Sequence, residues 1–293
     1  MSGAQGSGVV LASFGRGALV QSGETALYCA LKGRKQRIVC GDRVSWARAS
    51  SEAGATVLSI EPRRNLVERI DARGRPEPVA ANIDRVAIVA APEPLPDWFL
   101  VDRYWAAARL KEIAAIVIVN KSDLGLDDLQ AELAVYRDLD LPCFALSART
   151  HEGLAQLELP GATLLVGQSG VGKSSLINAL VPDAEAQTAA LTREVEGRHT
   201  TTAARRYRLK SDADAVIDAP GVRDFAPPAS LTRSAEIGFV EIHRCAADCR
   251  FNDCRHLEEP GCAVRSAVLN RRIAPRRYES YRRLLRLYQK LAP

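Results

Sequence analysis

The sequence predicts a multidomain α/β protein built from three successive parts. The first 80 residues hold short alternating apolar runs with turn-forming residues at short intervals. In the middle, apolar strands alternate with helical stretches, which indicates a largely parallel sheet. The last part holds a cluster of cysteine and histidine and then an arginine-rich helical tail. We place the domains at residues 1–80, 81–228 and 229–293, a chain of 293 residues being long enough for each to bury a core.

Composition limits where such a protein works. Seven cysteines are an odd number, and the four between residues 245 and 262 suit a reducing compartment and a metal site better than disulfides. The N-terminus has no charged start followed by a long apolar stretch, and the longest apolar runs are too short to span a bilayer. We therefore expect a cytoplasmic protein with no membrane partner. A net charge of +5 hints at an anionic partner.

The first part is predicted to be a small β-barrel, because several short strands follow one another closely. The apolar runs that predict strands span residues 9–15, 26–31, 36–44 and 55–60. An ordinary β-meander packed on the next domain is the alternative. Lys32–Lys35 would form a basic loop inside this part.

The middle part is predicted to contain six strands and three helices. The strands are expected at residues 84–91, 113–119, 142–148, 163–167, 205–210 and 214–219. The helices are expected at Asp97–Lys111, near residues 127–138, and from Lys173 onward. Ligand loops should gather where the parallel strands end.

A phosphate-binding loop is predicted at Gly167–Ser174. GlyGlnSerGlyValGlyLysSer fits G-x-x-x-x-G-K-[ST] and lies between a predicted strand and a predicted helix. Its backbone N–H groups and the helix N-terminus would bind phosphates, Lys173 would reach the β- and γ-phosphates, and Ser174 would ligate Mg²⁺. The residues expected to bind the nucleotide here are Gly167, Gln168, Ser169, Gly170, Val171, Gly172, Lys173, Ser174 and Ser175.

A guanine-binding motif is predicted at AsnLysSerAsp, residues 120–123, directly after a buried strand. The Asp123 carboxylate can accept hydrogen bonds from the N1–H and the exocyclic amine of guanine, a donor pair that adenine lacks. Ser147 and Ala148 close the next strand and would support the base through main-chain contacts. The expected ligand is therefore GTP or GDP, bound by Asn120, Lys121, Ser122, Asp123, Ser147 and Ala148.

The remaining hydrolytic residues are expected after the phosphate loop. Asp218 ends a strand in AspAlaProGly and would hold Mg²⁺ through water, with the Gly221 amide near the γ-phosphate. Of the candidate threonines in the switch segment, we favour Thr201 as the Mg²⁺ ligand, and Thr200 remains an alternative.

Val222 follows that glycine where many GTPases place a glutamine that orients the attacking water. Val222 cannot orient water, so we expect slow intrinsic hydrolysis that a partner or a moving loop completes. His199 is the local candidate for this task, although a structural or RNA-facing role is equally open, and Arg198 could approach the phosphates instead.

The order of these motifs is rotated relative to an ordinary GTPase. The guanine motif at residue 120 precedes the phosphate loop at residue 167, whereas the phosphate loop normally comes first. All six strands are still predicted, with the usual last three made first. Because the ligand loops gather at the carboxyl ends of the strands, such a circular permutation preserves the site.

A zinc site is predicted at Cys249, Cys254, His256 and Cys262, three thiolates and one imidazole within 14 residues. A Cys₃His set is a closed tetrahedral site, so we expect one structural Zn²⁺ per chain. Cys245 and His243 are rival ligands, and buried free cysteines are the alternative. The other three cysteines, Cys29, Cys40 and Cys143, are expected to lie in cores.

Seven arginines crowd into residues 271–286, while Leu284, Leu285 and Tyr288 recur at helical spacing. We expect the apolar face to dock and the basic face to bind RNA through phosphate contacts, a solvated charged surface being the alternative. The arginines are Arg271, Arg272, Arg276, Arg277, Arg282, Arg283 and Arg286.

Taken together, NKSD, GQSGVGKSS, GRHTTT, DAPG and CRFNDCRHLEEPGC resemble the ribosome small subunit-dependent GTPase family RsgA, also called YjeQ or YloQ. The resemblance covers nearly the whole chain. It implies an OB-fold first domain, a circularly permuted GTPase and a zinc domain. It also implies a role in late maturation of the small ribosomal subunit, with that subunit and its rRNA as partners.

Two other functions remain open from the sequence. The protein could be an RNA-binding assembly factor in which hydrolysis is incidental, or a translation-type factor that acts on mature ribosomes. A monomer is the default expectation.

Overall fold

The structure is a computed structural model, and it describes residues 4–31, 37–48, 54–71, 75–181, 204–209, 211, 213–219 and 236–291. The basic loop expected at Lys32–Lys35 lies outside the described residues. None of the described helices has the length and apolarity that crossing a membrane requires.

The first part is a five-stranded barrel, as the alternating runs predict. Its strands are β1 (Gln5–Phe14), β2 (Gly17–Ser22), β3 (Thr25–Leu31), β4 (Arg43–Arg48) and β5 (Ala55–Ile60). They pair in the order β1-β2-β3-β5-β4, and β4 pairs back onto β1, which closes the barrel. Only β3 and β5 run parallel among these pairs. Closure of five strands in this order is the OB type of barrel and excludes an open meander.

The prediction of a strand at residues 36–44 is wrong, because the chain turns within this stretch. Gly41 has a φ of +85°, and a Cβ on it would lie 2.2 Å from the Ala81 carbonyl oxygen. The carboxylate of Asp42 is fully buried and forms an ion pair of 2.7 Å with Arg63. Since this ion pair depends on a residue about 20 positions away, an apolar run could not reveal it. The strand β4 begins only at Arg43.

A hairpin follows the barrel and bridges the first two parts. It consists of β6 (Leu66–Ile70) and β7 (Pro76–Ala81), which pair antiparallel. Val67 and Ala80 are fully buried and pack in the core of the middle part. The boundary between residues 80 and 81 therefore falls at the end of a strand that packs on the second part, and it stays a prediction.

The middle part contains the six predicted strands. They are β8 (Arg85–Ala90), β9 (Ala114–Val119), β10 (Cys143–Ala145), β11 (Ala162–Gly167), β12 (Arg205–Arg208) and β13 (Ala215–Asp218). Their order in the sheet is β10-β9-β8-β11-β13-β12, and only β12 runs antiparallel to its neighbour in this set. The predicted largely parallel sheet is thus confirmed, with β10 shorter than expected.

Helices cover both faces of this sheet. α1 (Trp98–Leu110) and α2 (Gln130–Asp138) pack on one face, and α3 (Lys173–Leu180) packs on the other. Alternate residues of β8 serve the two cores, since Val86 and Ile88 face α1 while Ala87 and Val89 face the α3 side. The strands β9, β8, β11 and β13 are buried on both sides, which is why they are almost wholly apolar, whereas β12 reads ArgArgTyrArg.

The barrel and the middle sheet are hydrogen-bonded to each other. β12 pairs antiparallel with β1 at Ala12 and Arg205. Eleven of the described strands therefore form one continuous sheet that begins at β10 and runs into the barrel. No local sequence pattern predicts this pairing, because its two strands are about 190 residues apart.

The last part is helical, as expected. Its helices are α4 (Val240–Ala246), α5 (Ala263–Leu269) and α6 (Pro275–Leu291). Leu284, Leu285 and Tyr288 are buried, so the predicted apolar face of α6 does dock.

Two arginines of the tail are not on a basic surface, and this part of the prediction is wrong. The Arg277 guanidinium is completely buried and binds Glu241 and Asp102, each at 2.7 Å. Arg276 binds Asp102 at 2.6 Å and Glu132 at 2.5 Å. Since Asp102 is on α1 and Glu132 on α2, these arginines attach the last part to the middle part.

Candidate nucleotide site and metal-binding cluster

The predicted nucleotide-binding residues that the structure describes lie at the ends of β11 and β13 and in the loops that follow β9, β10 and β11. These four strands are parallel members of the middle sheet, so their carboxyl ends share one edge. The rotated order of the motifs along the chain therefore does not separate them in space.

The phosphate loop begins where β11 ends at Gly167 and closes where α3 begins at Lys173. Gly170 and Gly172 have φ values of +85° and +86°, a region that favours glycine. A Cβ on Gly167 would lie 2.2 Å from the Val89 carbonyl oxygen, and one on Gly172 would lie 2.4 Å from the Asn120 side-chain nitrogen. The glycines of the motif are thus required for the loop to pack against its neighbours.

Lys173 lies across the loop that it terminates. Its Nζ donates to the carbonyl oxygens of Gly167 at 2.9 Å and Gln168 at 2.8 Å. Ser169 and Gly170 at the rim are exposed, and so are Ser174 and Ser175 in the first turn of α3. The loop therefore presents a cation, hydroxyl groups and a helix N-terminus to solvent at one place, which suits a phosphate.

The buried side chain of Asn120 joins three loops. Its Nδ2 donates to the carbonyl oxygens of Val171 at 3.0 Å and Gly172 at 3.3 Å, and its Oδ1 accepts from the Ala148 N–H at 3.0 Å. The predicted guanine-binding motif is thereby fixed against the phosphate loop on one side and the Ser147–Ala148 pair on the other.

Lys121 makes a second connection to the phosphate loop. It has a φ of +59°, and its Nζ donates to the carbonyl oxygens of Glu93 at 2.7 Å and Gly170 at 2.8 Å. The next residue, Ser122, donates its backbone N–H to the Leu146 carbonyl at 3.0 Å. The loop that would hold a base is therefore tied down by its first three residues.

Asp123 is held by two side chains. The Ser147 hydroxyl donates to Oδ1, and Arg149 donates to Oδ2, each at 2.5 Å. The hydrogen bond from Ser147 and then that from Arg149 lower the pKa of Asp123 below its ordinary value. The carboxylate is therefore ionised and can accept the two N–H groups of guanine.

Asp218 ends β13 beside the phosphate loop. Burial raises its pKa, and the charges of Lys173 and Arg205 lower it in part. A carboxylate here and the hydroxyl of Ser174 are hard oxygen donors, which is the ligand chemistry that Mg²⁺ prefers. His199, Thr200, Thr201, Gly221 and Val222 lie outside the described residues.

Cys249, Cys254, His256 and Cys262 form a separate cluster whose ligand atoms all lie within 4.8 Å of one another. The His256 Nδ1 is 3.5 Å from the sulfurs of Cys249 and Cys262, and those sulfurs are 4.0 Å apart. Tetrahedral zinc bonds require edges of about 3.6 Å between nitrogen and sulfur and about 3.8 Å between two sulfurs. The three distances among Cys249, His256 and Cys262 are close to those edges, and Cys254 lies within 4.8 Å of the other ligand atoms, so the cluster suits a bound metal ion.

The rival ligands Cys245 and His243 do not join this cluster among the described residues. Sequence reasoning missed the neighbours that hold it. The hydroxyl of Tyr278 donates to the His256 carbonyl at 2.5 Å, and the Nε2 of His256 faces Glu236 at 3.4 Å. Both neighbours are distant in the sequence and carry no motif. Arg149, by contrast, directly follows Ser147–Ala148, so its place beside Asp123 could have been inferred from position.

Residues 60–227, more than half of the chain, match the family model described as RsgA GTPase. The chain belongs to the RsgA GTPase family. Two curated relatives named small ribosomal subunit biogenesis GTPase RsgA match it over 97% of this chain and 86% of their own length. The protein of Azotobacter vinelandii is 40% identical, and that of Pseudomonas aeruginosa PAO1 is 41% identical.

Solved structures in this family share the fold. YjeQ from Thermotoga maritima is 27% identical, with a TM-score of 0.70 over 98% of this chain and 99% of that one. YloQ, described as a circularly permuted GTPase, has a TM-score of 0.72 at 23% identity over 99% and 97% of the two chains. The family and the permuted fold class predicted from the sequence are confirmed.

Proposed function

We propose that this RsgA GTPase family member binds and hydrolyses GTP, and that it couples both to late assembly of the small ribosomal subunit. The observation that carries the proposal is the side chain of Asn120, which ties the predicted guanine-binding loop to the phosphate loop in one site. The name of the curated relatives, small ribosomal subunit biogenesis GTPase, supplies the biological setting.

The proposed site divides its work among few residues. Asp123 selects guanine through its ionised carboxylate, and the glycine-rich loop orients the phosphates through backbone N–H groups. Lys173 places a positive charge where negative charge develops in phosphoryl transfer. Ser174 and Asp218 would hold Mg²⁺, which when bound neutralises charge on the phosphate oxygens. Thr201 and His199 remain the proposed switch and water-orienting residues.

We propose that the cysteine cluster holds one structural Zn²⁺. Four protein ligands of the Cys₃His type fill a tetrahedral zinc site and leave no position for water, which favours a structural ion over a catalytic one. Cys254, His256 and Cys262 are buried, so the ion would be part of the core of the last part.

The proposed macromolecular partner is the rRNA of the small subunit. Arg271, Arg272, Arg283 and Arg286 are exposed on the last part, and the chain carries a net charge of +5. Such contacts to phosphates would weaken as salt rises. We further propose that the protein is a monomer that the subunit stimulates.

The test is GTP turnover by the purified protein, alone and with purified small subunits, with ATP as a competitor. We expect GTP-selective turnover that the subunits raise strongly and that Lys173→Ala abolishes. The matched control is Lys111→Ala, because Lys111 pairs with Glu68, away from the phosphate loop, and should leave turnover intact. Unchanged turnover across a titration of subunits would contradict the coupling, and equal use of ATP would contradict the guanine assignment.

A further inference from the structure

Asp123 is an ionised carboxylate with little access to solvent. Its side chain is only 11% exposed, while that of its partner Arg149 is 77% exposed. A carboxylate has two oxygens with about four acceptor positions in total. Which of these positions are already occupied decides what Asp123 can offer to a base.

The two contacts of Asp123 divide evenly between its oxygens. Ser147 uses one acceptor position on Oδ1, and Arg149 uses one on Oδ2. Among the hydrogen bonds of the described residues, one acceptor position remains on each oxygen. Guanine presents two adjacent donors, its N1–H and its 2-amino group, so it needs one acceptor on each oxygen.

We propose that Arg149 is a positioning residue for guanine specificity, which orients the Asp123 carboxylate so that one acceptor position on each oxygen faces the base. This inference rests on the proposed function, because it concerns how the same site distinguishes guanine.

Hydrogen bonds of the flanking backbone hold Arg149 beside Asp123. The N–H of Ala148 on one side is bound by Asn120, and the N–H of Thr150 on the other side donates to the Ser147 hydroxyl at 3.1 Å. Two flanking hydrogen bonds therefore fix the residue that carries the guanidinium. A guanidinium also suits the task better than an ammonium, since its donors lie in a rigid plane.

The experiment compares the affinities of GDP and IDP, whose hypoxanthine base lacks the 2-amino group, for wild type, Arg149→Ala and Arg149→Lys. We expect Arg149→Ala to bind GDP about three- to fivefold more weakly, the range expected for one exposed charged contact. IDP should lose less, so discrimination between the two falls, and Arg149→Lys should recover part of it. The control is Arg137→Ala, which removes an exposed arginine whose side chain contacts Gln130.

Two results would overturn the inference. GDP affinity that is unchanged or tighter in Arg149→Ala would mean that Arg149 is idle or competes with the base for Asp123. Equal losses of GDP and IDP would mean that Arg149 acts on another part of the nucleotide. Failure of the wild type to bind GDP selectively would instead contradict the proposed function, so the two failures are distinguishable.

Discussion

At the scale of single residues, Asn120 makes the nucleotide site one unit rather than three loops. Its side chain is 1% exposed, and each of its polar atoms bonds to backbone of another loop. A shorter side chain would leave buried backbone groups of both loops without partners, which costs about 1–3 kcal/mol for each such group.

Asn120→Ala should therefore weaken the fold and the site together. We expect the free energy of unfolding to fall by about 2 kcal/mol and GDP affinity to fall more than tenfold, measured by urea denaturation and by equilibrium binding. Asn178→Ala, on the exposed side of α3, is the control and should change neither quantity. Retained GDP affinity in Asn120→Ala would contradict the role of Asn120 as a joint.

The carboxyl group of Asp84 makes the stability of the fold depend on pH. Burial alone would raise its pKa, but hydrogen bonds from Arg64 and from the Ala162 N–H outweigh burial and lower it. An acid whose pKa is lower in the folded state stabilises the fold above its unfolded pKa, and this contribution is lost as the pH falls through the folded value.

Asp84→Asn should accordingly destabilise the protein at pH 7 and make little difference at a pH below the folded-state pKa of Asp84, where the wild-type carboxyl is also protonated. The ion pair with Arg64 is partly exposed, so we expect a loss below about 1 kcal/mol. Urea denaturation at both pH values measures it, with the exposed Asp138→Asn as the control. A difference that stays the same as the pH falls through the folded-state pKa would show that packing, not charge, is lost.

At the scale of elements, α1 connects the phosphate loop to the last part of the chain. At its start, the backbone N–H of Asp97 donates to the Gln168 side chain of the phosphate loop at 3.1 Å. One turn further, Asp102 is fully buried and accepts from both Arg276 and Arg277. The helix therefore contacts both the proposed nucleotide site and the part that holds the metal cluster.

Arg277→Met tests how firmly that contact holds the last part. Removing the guanidinium leaves the buried carboxylate of Glu241 without its ion-pair partner and that of Asp102 with Arg276 alone, and breaking such a buried ion pair typically costs about 3–5 kcal/mol. We expect a loss of about that size in urea denaturation and faster proteolysis of the last part. Arg282→Ala is the control, because its ion pair with Glu279 is partly exposed. An unchanged unfolding midpoint would contradict the structural role.

Elements whose bounds depend on local contacts could be predicted from the sequence. Helix α1 was predicted as Asp97–Lys111 and found as Trp98–Leu110, because Asp97 caps it through a local hydrogen bond to the Phe99 N–H. The phosphate loop is equally predictable from the sequence, since its glycines meet a local steric requirement.

Contacts made by distant partners were not predictable. Asp42 turns the chain only because Arg63 is there to pair with it, and Arg277 is buried only because Asp102 and Glu241 meet it. Arginine in an arginine-rich run gives no sign of which member will be buried. At the candidate site, the motifs located the loops and the position of Arg149, but the hydrogen bonds from Asn120 to the phosphate loop about 50 residues later carry no local signal.

At the scale of the whole molecule, the metal cluster and the last part share one core. Cys254 and Cys262 pack with Phe239, Val264 and Tyr281 in a cluster that is separate from the two cores of the middle sheet. Loss of the proposed Zn²⁺ should therefore loosen the last part while the middle sheet keeps its own packing.

Cys249→Ser should remove the metal and reduce protection of residues 236–291 in hydrogen exchange, with β8, β9 and β11 unchanged. Metal content measures the first effect and exchange rates the second. The matched control is Cys245→Ser, four residues earlier and outside the cluster, which should keep the metal. Loss of metal from both variants, or loosening of the middle sheet, would contradict this division of the molecule.

The order of the strands has a further consequence during synthesis. β8 pairs with β11, which is synthesised about 80 residues later. β1 pairs with β12, which is synthesised about 190 residues later. At 5–20 residues per second, the edge of β8 stays open for roughly 4–16 s, and the end of β1 at Ala12, beyond its pairing with β4, stays open for roughly 10–40 s. An open strand edge invites pairing with other chains. A nascent chain of this protein should therefore be most dependent on chaperones between the emergence of β8 and that of β12.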